Sequence, residues 1–277
     1  MVILDGKKLS EKILEELKAE ISGLKKKLRL AVVVVGKNPV GERFVNQKRK
    51  IAQELGVDFK IYSFAESITT NELRKKLTEV VHEKRNTGII IQLPLPERLN
   101  AQYILNSIMP EKDVDVLSAK AVGNFAVNKS PILPPVAGAI RAFFIEYKID
   151  FHQKNIVIVG AGNLVGKPAA LWLLNEKTGF TVLKSGTPNP EKFIKEADIL
   201  ITGIGKPKFI KGDWIKNGAV VIDAGTSESE GKLVGDVDFE EASAKAGYIT
   251  PVPGGVGPVT VSMLFKNLLT LFLSKTI

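Results

Sequence analysis

Two spacings of hydrophobic residues alternate along this 277-residue chain. Short runs of β-branched residues, such as "AVVVV" at 31–35, predict strands that are buried on both faces, whereas apolar residues three or four positions apart predict helices. Because the two kinds of segment alternate, we expect an α/β fold with parallel sheets and crossover helices. The length exceeds the usual size of a single core, which predicts two domains with a cleft between them.

The predicted elements can be placed by their sequence. The strands are expected in "LAVVVVG", "VDFKIYSF", "TGIIIQLPLP", "NIVIVG", "FTVLKSGT", "ADILITGIG" and "GAVVIDAGT". The helices are expected at Leu9 to Leu28, around Lys48, in "TNELRKKLTEVVHE" with Thr70 or Asn71 as its cap, at 137–147 and in "SMLFKNLLTLFL". Residues 100–135 have the composition of an irregular, proline-rich connection, so a domain boundary is expected there.

One helix carries a lysine at an apolar position. Val40, Phe44, Ile51 and Leu55 follow the spacing of a buried stripe, and Lys48 completes the series. Lysine can lay its aliphatic stem on apolar surface and keep its ammonium in water. Alternatively, a lysine that loses hydration has a lowered pKa and becomes a useful acid or base. This stretch alone leaves both interpretations open.

The composition excludes several kinds of chemistry. The chain has no cysteine, which rules out disulfides, thiolate nucleophiles and cysteine metal sites. His82 and His152 lie in separate polar segments, so a histidine-ligated metal site or a Ser-His-Asp enzyme is not expected, and we predict no metal.

The net charge of +9 favours an anionic partner, such as a phosphorylated cofactor, an acidic substrate or nucleic acid. The basic residues are spread over helix faces without interleaved aromatic residues, so we expect no nucleic-acid partner. The longest apolar runs are short for a bilayer span, and no secretory signal is recognised. We therefore expect no membrane association and a cytoplasmic location.

The second half contains a glycine-rich turn between a predicted strand and a predicted helix. In "VGAGNLVG", Gly160, Gly162 and Gly166 form G-x-G-x-x-x-G, a context in which backbone N–H groups and the positive helix end face a pyrophosphate. The next strand ends in "LKSGT", which has no carboxylate for the ribose hydroxyls. Lys184 and Ser185 suit a ribose 2′-phosphate, so NADP is favoured, with NAD possible.

A second glycine-rich segment is "TPVPGGVGPVTV", in which three prolines and three glycines occupy the eight residues 251–258. Such a sequence forms a stiff loop whose backbone can approach a flat ring closely. With "FVNQKRKIAQELGV", "GIIIQLPLP", "PEKDVD", "VGAGNLVGKP", "ADILITGIGKP", "VVIDAGT" and "GDVDF", this segment resembles the bifunctional methylenetetrahydrofolate dehydrogenase/cyclohydrolase family. The resemblance covers nearly the entire chain.

The resemblance implies a domain organisation and a reaction. A folate-binding catalytic domain would comprise residues 1–136 and 262–277, and a Rossmann-like NAD(P)-binding domain would comprise residues 137–261. Methylenetetrahydrofolate would be oxidised with NADP to methenyltetrahydrofolate and then hydrolysed to 10-formyltetrahydrofolate, as part of one-carbon metabolism and purine biosynthesis. Family members are commonly homodimers.

The resemblance also assigns residues. Lys48 matches the catalytic lysine, Gln92 the glutamine that orients it, and Asp115 the aspartate that pairs with the pterin. Further substrate-binding positions are Phe44, Pro253, Gly254 and Gly255. The cofactor-binding positions are Gly160, Ala161, Gly162, Asn163, Val165, Gly166, Lys184, Ser185, Thr187, Gly203, Gly225, Thr226 and Gly257.

Several positions depart from the family pattern. Phe44 stands where tyrosine is usual, Gly41 where serine is usual, and Val116 where glycine follows "DVD"; "PPVA" at 134–137 replaces "PCTP". In the glycine-rich turn, Gly162 stands where serine is common and Ala161 where some members have arginine. The alternatives are therefore a dehydrogenase with weak or lost cyclohydrolase activity, or the same chemistry on a modified pterin carrier. A non-catalytic nucleotide-binding module is a third, against which Lys48, Gln92 and Asp115 argue.

Overall fold

The computed structural model describes residues 1–229 and 231–275, which form two compact units. The three-stranded unit comprises residues 13–135 and the chain from Leu264 onward, and the six-stranded unit comprises residues 1–12 and 136–263. The strands are β1 (Val2–Ile3), β2 (Arg29–Val35), β3 (Asp58–Phe64), β4 (Gly88–Ile91), β5 (Ile156–Val159), β6 (Thr181–Leu183), β7 (Ile199–Thr202), β8 (Val220–Asp223), β9 (Ser227–Ser229), β10 (Lys232–Val234) and β11 (Tyr248–Ile249). The helices are α1 (Gly6–Ser22), α2 (Pro39–Glu54), α3 (Thr70–His82), α4 (Ala101–Leu105), α5 (Ala119–Ala126), α6 (Pro135–Glu146), α7 (Gly166–Asn175), α8 (Pro190–Glu196), α9 (Phe239–Ser243) and α10 (Val256–Leu273), with 3₁₀ turns at Pro110–Lys112 and Gly212–Trp214.

The three-stranded unit contains a parallel sheet in the order β3-β2-β4. The central strand β2 is almost entirely buried, as its β-branched run predicts. Leu73, Leu77 and Val80 of α3 pack in one cluster with Val33 of β2 and Ile89 of β4. Since the strands are parallel, their carboxyl ends meet at one edge, and Gln92 follows β4 there.

The six-stranded unit contains a parallel sheet in the order β1-β11-β8-β7-β5-β6, while β9 and β10 pair as an antiparallel hairpin. The four-residue strands β5, β7 and β8 are buried along their whole length. The α/β architecture with parallel sheets is therefore confirmed. The order places the glycine-rich turn after β5 beside the loops that follow β6 and β7.

The structure corrects two predicted helix boundaries. The first helix ends at Ser22, so Leu24 and Leu28 lie beyond it, and Leu28 is buried just before β2. Helix α3 is capped by Thr69 rather than by Thr70 or Asn71. The Thr69 side chain accepts a hydrogen bond from the Glu72 backbone, and the Glu72 carboxylate accepts one from the Thr69 backbone, which is the reciprocal arrangement of a capping box.

Residues 100–135 are more regular than predicted, because they contain α4, a 3₁₀ turn and α5. The two helices are short and begin at polar side chains that cap them. Asn100 accepts a hydrogen bond from the Tyr103 backbone, and Ser118 accepts one from the Ala121 backbone. Helices of five and eight residues show too few turns for a clear hydrophobic period, which explains why the pattern missed them.

The amino terminus belongs to the six-stranded unit, whereas the predicted boundaries placed residues 1–136 together. Val2 and Ile3 pair with Tyr248 and Ile249 of β11 and so form the edge of the larger sheet. Gly6 lies against the backbone of Gly255, where a Cβ atom would be 1.8 Å from the carbonyl oxygen. A two-residue strand has no period that a sequence can reveal.

By length and composition alone, helix α10 could cross a bilayer. The uninterrupted apolar run within it is shorter than the helix. Of its 18 residues, 61% are buried inside the protein. The Asn267 side chain donates to the carbonyl oxygens of Val114 and Leu133 at 2.9 and 2.8 Å. Packing within the protein therefore accounts for the hydrophobicity of this helix.

Candidate active site and nucleotide-binding edge

Helix α2 presents Lys48 on its inner face, but Phe44, which was predicted to share that face, does not lie on it. Val45, Ala52 and Leu55 are buried, whereas Phe44 is 36% exposed. The side chain of Val40 lies outside the described part of the chain. Ile51 is buried as well, so the predicted stripe is correct at Ile51 and Leu55 and wrong at Phe44, and Lys48 is half-buried in the structure.

A hydrogen bond joins Lys48 to the end of strand β4. Lys48 Nζ donates to Gln92 Oε1 at 3.1 Å, and Gln92 Nε2 donates to the Leu93 carbonyl at 2.7 Å. The second bond fixes the amide orientation, so that the oxygen faces the amine. The Phe44 ring centroid is 6.0 Å from Lys48 Nζ, at the limit of a cation–π contact, and offers no hydroxyl group.

Asp115 forms the electrostatic partner of this lysine. Burial lowers the pKa of Lys48, and the nearby Asp115 carboxylate partly offsets that shift. Burial raises the pKa of Asp115 to about 6, with Lys48 opposing the shift and Asp113 adding to it. Both groups are therefore moved toward neutral pH, which is the range in which a side chain can both accept and return a proton.

Asp113 holds the turn that contains Asp115, a role that the sequence did not reveal. Its buried carboxylate accepts hydrogen bonds from the backbone of Leu117 at 3.0 Å and of Ser118 at 2.8 Å. Val116, which lies between Asp115 and Leu117, has a left-handed φ of 57°. A carboxylate that binds its own turn explains how the short segment is kept in place.

Close packing of glycines shapes the turn after β5. Gly160 has φ of 108°, and a Cβ atom there would lie 2.9 Å from the Gly203 carbonyl oxygen. A Cβ atom on Gly166 would lie 1.9 Å from the Gly160 carbonyl oxygen. Gly162, in contrast, is exposed and faces open space. The first and third glycines are thus required by the fold, and the second leaves room for a ligand.

The residues predicted to bind cofactor all come after strands of the six-stranded sheet in the chain. Lys184 and Ser185 are exposed after β6, and the Lys184 backbone donates to Thr187 Oγ1 at 3.1 Å. Asn163 accepts a hydrogen bond of 2.7 Å from Lys167 Nζ. The other members of this group, Ala161, Val165, Gly203, Gly225, Thr226 and Gly257, follow β5, β7, β8 or β11. No carboxylate occupies residues 184–187.

The loop at Pro253, Gly254 and Gly255 also belongs to the six-stranded unit, whereas Phe44, Lys48, Gln92 and Asp115 belong to the three-stranded unit. Gly254 has φ of 104°, and a Cβ atom on Gly255 would meet the Pro251 carbonyl oxygen at 2.5 Å. The glycines therefore permit a tight turn.

The glycine-rich turn at the carboxyl edge of a parallel sheet in one unit is typical of NAD(P)-dependent enzymes, and the other unit contains a lysine–carboxylate pair with altered pKa values, as active sites often do. Comparisons with known proteins narrow this class. Residues 4–115 match the model of the tetrahydrofolate dehydrogenase/cyclohydrolase catalytic domain, and residues 134–276 match that of its NAD(P)-binding domain. The chain belongs to the tetrahydrofolate dehydrogenase/cyclohydrolase family.

Relatives agree along the full length. The bifunctional protein FolD of Acetivibrio thermocellus is 43% identical over 269 residues, which cover 96% of this chain and 94% of that protein. The crystal structure of the FolD dehydrogenase/cyclohydrolase of Campylobacter jejuni has a TM-score of 0.96 at 40% identity and 99% coverage of both chains. The Trypanosoma brucei enzyme, complexed with NADP and an inhibitor, has a TM-score of 0.94 at 35% identity, covering 99% of this chain and 98% of its own.

Proposed function

We propose that this protein oxidises methylenetetrahydrofolate to methenyltetrahydrofolate with NADP and then hydrolyses the product to 10-formyltetrahydrofolate. The observation that carries the proposal is the hydrogen bond between Lys48 and Gln92 beside Asp115, in a chain of this family. The three-stranded unit would bind the folate and the six-stranded unit the dinucleotide. Asp115 would pair with the pterin, whose amine and ring N–H match the two oxygens of a carboxylate.

The oxidation requires no acid or base from the side chains. Removal of a hydride from a methylene between two nitrogens gives a resonance-stabilised amidinium directly, so the step requires orientation rather than an acid or a base. NADP, when bound, supplies the acceptor for that hydride. This accounts for a site in which neither histidine takes part, since His82 and His152 are both exposed.

The hydrolysis requires a proton carrier. Water attacks the amidinium carbon and forms a C–O bond, while the neutral amine of Lys48 takes up the proton that the water releases. The Lys48 ammonium then returns a proton to the ring nitrogen as the bond between that nitrogen and carbon breaks. The hydroxyl group on carbon loses its proton to solvent as the C=O bond forms, which leaves the formyl group on the other nitrogen. Burial prepares Lys48 for this task because it lowers the pKa of the amine.

The residues of the nucleotide-binding edge fit NADP. Gly162 leaves open space at the turn where a pyrophosphate would face backbone N–H groups. Lys184 and Ser185 offer a cation and a hydroxyl group for the 2′-phosphate, and residues 184–187 contain no carboxylate that would repel it. NAD remains the weaker alternative, and comparing the Kd values of the two dinucleotides decides between them.

A substitution at Lys48 tests the proposal. In one preparation, Lys48→Met should reduce hydrolysis of methenyltetrahydrofolate by about 10²–10⁴-fold, the usual contribution of a general acid–base group, and reduce NADP-dependent oxidation much less. Lys50→Met is the matched control because Lys50 is exposed on the same helix. Equal loss of both activities in Lys48→Met would contradict the assigned role, and absence of both activities in the unaltered protein would contradict the proposed function.

One observation favours a second candidate, a dehydrogenase with weak cyclohydrolase activity. Among the described residues, Gln92 is the hydrogen-bond partner of Lys48 Nζ, and Phe44 brings a ring without a hydroxyl group near the amine. The ratio of the two rates in the unaltered protein distinguishes the candidates. The same assay with a modified pterin carrier tests whether the substrate departs from tetrahydrofolate.

The proposal extends to a homodimer. Strand β3 pairs with β2 on one side and forms an edge of its sheet, and its backbone could pair with a second copy of the chain. Light scattering should give twice the mass of the chain; the mass of a single chain would contradict this. We also propose a cytoplasmic location, a role in supplying one-carbon units for purine biosynthesis, and no membrane or nucleic-acid partner. Cell fractionation, growth without purines and a salt-dependent polynucleotide-binding assay test these points.

A further inference from the structure

Two buried aspartates lie at the carboxyl edge of the six-stranded sheet and have no part in the chemistry described above. Asp223 ends strand β8 and is 3% exposed, and Asp236 follows the hairpin and is 0% exposed. Neither belongs to any ion pair among the residues that the structure describes. Because a buried carboxylate without a cation is costly, its hydrogen bonds must account for its presence.

Asp236 binds the loop that follows β7. Its Oδ2 atom accepts hydrogen bonds from Thr202 Oγ1 at 2.9 Å and from the Ile204 backbone at 2.7 Å. Its Oδ1 atom accepts one from the Lys206 backbone at 2.9 Å. Three donors on both sides of Gly203 therefore converge on one carboxylate, which fixes the backbone of a loop expected to contact the dinucleotide.

Asp223 binds the loop that follows β8 and connects it to Asp236. Its Oδ1 atom accepts a hydrogen bond from the Gly225 backbone at 2.9 Å, and its Oδ2 atom accepts one from the Val237 backbone at 2.9 Å. A Cβ atom on Gly225 would lie 2.2 Å from the carboxyl carbon of Asp236. Gly225 is thus held by one aspartate and packs directly against the other.

The two loops contain Gly203, Gly225 and Thr226, and the same two carboxylates set the backbone of both. Backbone groups that approach a dinucleotide must be preorganised, since ordering them on binding would weaken the affinity. Burial raises the pKa of Asp223 to about 7, and the neighbouring Asp236 adds to that shift. The two carboxylates therefore lie close together behind both loops, and their hydrogen bonds to the loop backbone offset the cost of their burial.

We propose that Asp236, together with Asp223, is a positioning residue for the dinucleotide: it holds the loops after β7 and β8 in the conformation that binds NADP. The inference rests on the proposed function, because it takes the ligand of this edge to be NADP. It adds two residues that touch neither the substrate nor the reacting atoms and that act through Gly203 and Gly225.

The test is direct titration of NADP, without folate, into the full-length protein and its Asp236→Asn variant. Asparagine has one acceptor oxygen for three donors, so its NH₂ group must face a backbone N–H and displace the loop. We expect the Kd for NADP to rise about tenfold or more with unchanged stoichiometry. In the activity assay, KM for NADP should rise while KM for methylenetetrahydrofolate stays the same.

Asp198→Asn is the matched control. Asp198 lies just before β7, at the opposite edge of the same sheet, where its carboxylate accepts hydrogen bonds from the Asn155 backbone and Lys216 Nζ. It shares the loss of a carboxylate but not the contact with the cofactor loops, so its Kd for NADP should match that of the unaltered protein. A rise in Kd equal to that of Asp236→Asn would overturn the proposal.

The remaining outcomes are also decisive. An unchanged Kd in Asp236→Asn, with or without loss of stability, shows a purely structural role and overturns the inference alone. If that variant does not fold, Thr202→Val removes one donor with little change of shape, and an unchanged Kd there has the same meaning. If the unaltered protein binds no NADP, the cofactor assignment fails together with the inference, so the two failures are distinguishable.

Discussion

The two functional regions of this protein use ionisable side chains in opposite ways. Around Lys48, burial shifts the pKa values of an amine and of Asp115 toward neutral pH, so protons can move there. At the carboxyl edge of the six-stranded sheet, glycines and loop backbone form the proposed dinucleotide site, and the carboxylates of Asp223 and Asp236 accept hydrogen bonds from those loops. Under our proposals, a titratable group near the reacting atoms takes part in the chemistry, whereas a carboxylate bound to a loop fixes geometry.

The comparison also separates two uses of glycine. Gly166 is needed because the start of α7 packs on the Gly160 carbonyl group, whereas Gly162 lies in open space. Of these two glycines, only Gly166 is required for folding of the turn itself. The two glycines of a single motif therefore have different physical reasons to be there, and substitutions can tell them apart.

Gly166→Ala should have the largest effect among the changes that test this difference. The new methyl group would lie 1.9 Å from the Gly160 carbonyl oxygen, so the turn must open. Overpacking of this kind costs about 1–3 kcal/mol, and the Kd for NADP should rise about tenfold or more. Gly162→Ala is the matched control, expected to change the unfolding temperature little because a Cβ atom there would meet nothing within 4 Å. Equal destabilisation by both substitutions would remove the distinction.

Asp115→Asn tests the electrostatic coupling between Asp115 and Lys48 in the three-stranded unit. The Asp115 carboxylate raises the pKa of Lys48 against the effect of burial. Its removal should lower that pKa further, so the cyclohydrolase rate, which requires the neutral amine, should reach its plateau at a lower pH. The measurement is the pH dependence of hydrolysis at saturating substrate, with Glu42→Gln, an exposed position on α2, as the control. An unchanged pH profile would show that the carboxylate does not act on the lysine, and a shift toward higher pH would contradict the sign of the predicted effect.

The opposite pKa directions also predict opposite contributions to stability. Asp115 has a folded pKa of about 6, raised by burial above the usual carboxyl value. Its contribution to stability is therefore fully present below the unfolded pKa and is lost as the pH rises through about 6. For Lys48 the folded pKa is lowered, so folding favours the neutral amine. Its cost to the free energy of unfolding is therefore greatest at low pH, where both states carry the ammonium, and disappears as the pH rises to the unfolded pKa.

Much of this organisation could be predicted from the sequence, because the signals are local. The β-branched runs of β2, β5, β7 and β8 predict buried parallel strands on their own. The predicted stripe around Lys48 is correct at Ile51 and Leu55, whereas the buried residue before Lys48 is Val45 rather than Phe44. Lys48 lies on the same face in either case, so its partial burial follows from the spacing despite the error at Phe44.

Other features depend on contacts that no local pattern records. Strands β1 and β11 have two residues each and become a sheet edge only by pairing with each other and with β8. Asp223 and Asp236 lie in recognisable motifs, yet their partners are backbone N–H groups of loops up to 32 residues away and the Thr202 hydroxyl group 34 residues away. Sequence shows a carboxylate after a strand, but which donors reach it depends on the strand order.

Phe44→Tyr should have the smallest effect, and it tests whether a hydroxyl group near Lys48 assists hydrolysis. The ring centroid is 6.0 Å from Lys48 Nζ, so a hydroxyl group added to this ring introduces a polar group near an amine that has Gln92 as its hydrogen-bond partner. A single hydrogen bond contributes about 0.5–1.5 kcal/mol, equivalent to about two- to tenfold in rate. The cyclohydrolase-to-dehydrogenase ratio should rise by that factor. Phe59→Tyr, on β3 beside Arg49, is the control. An unchanged ratio would mean that Gln92 alone suffices to orient the lysine, and that phenylalanine at position 44 costs this protein nothing in hydrolysis.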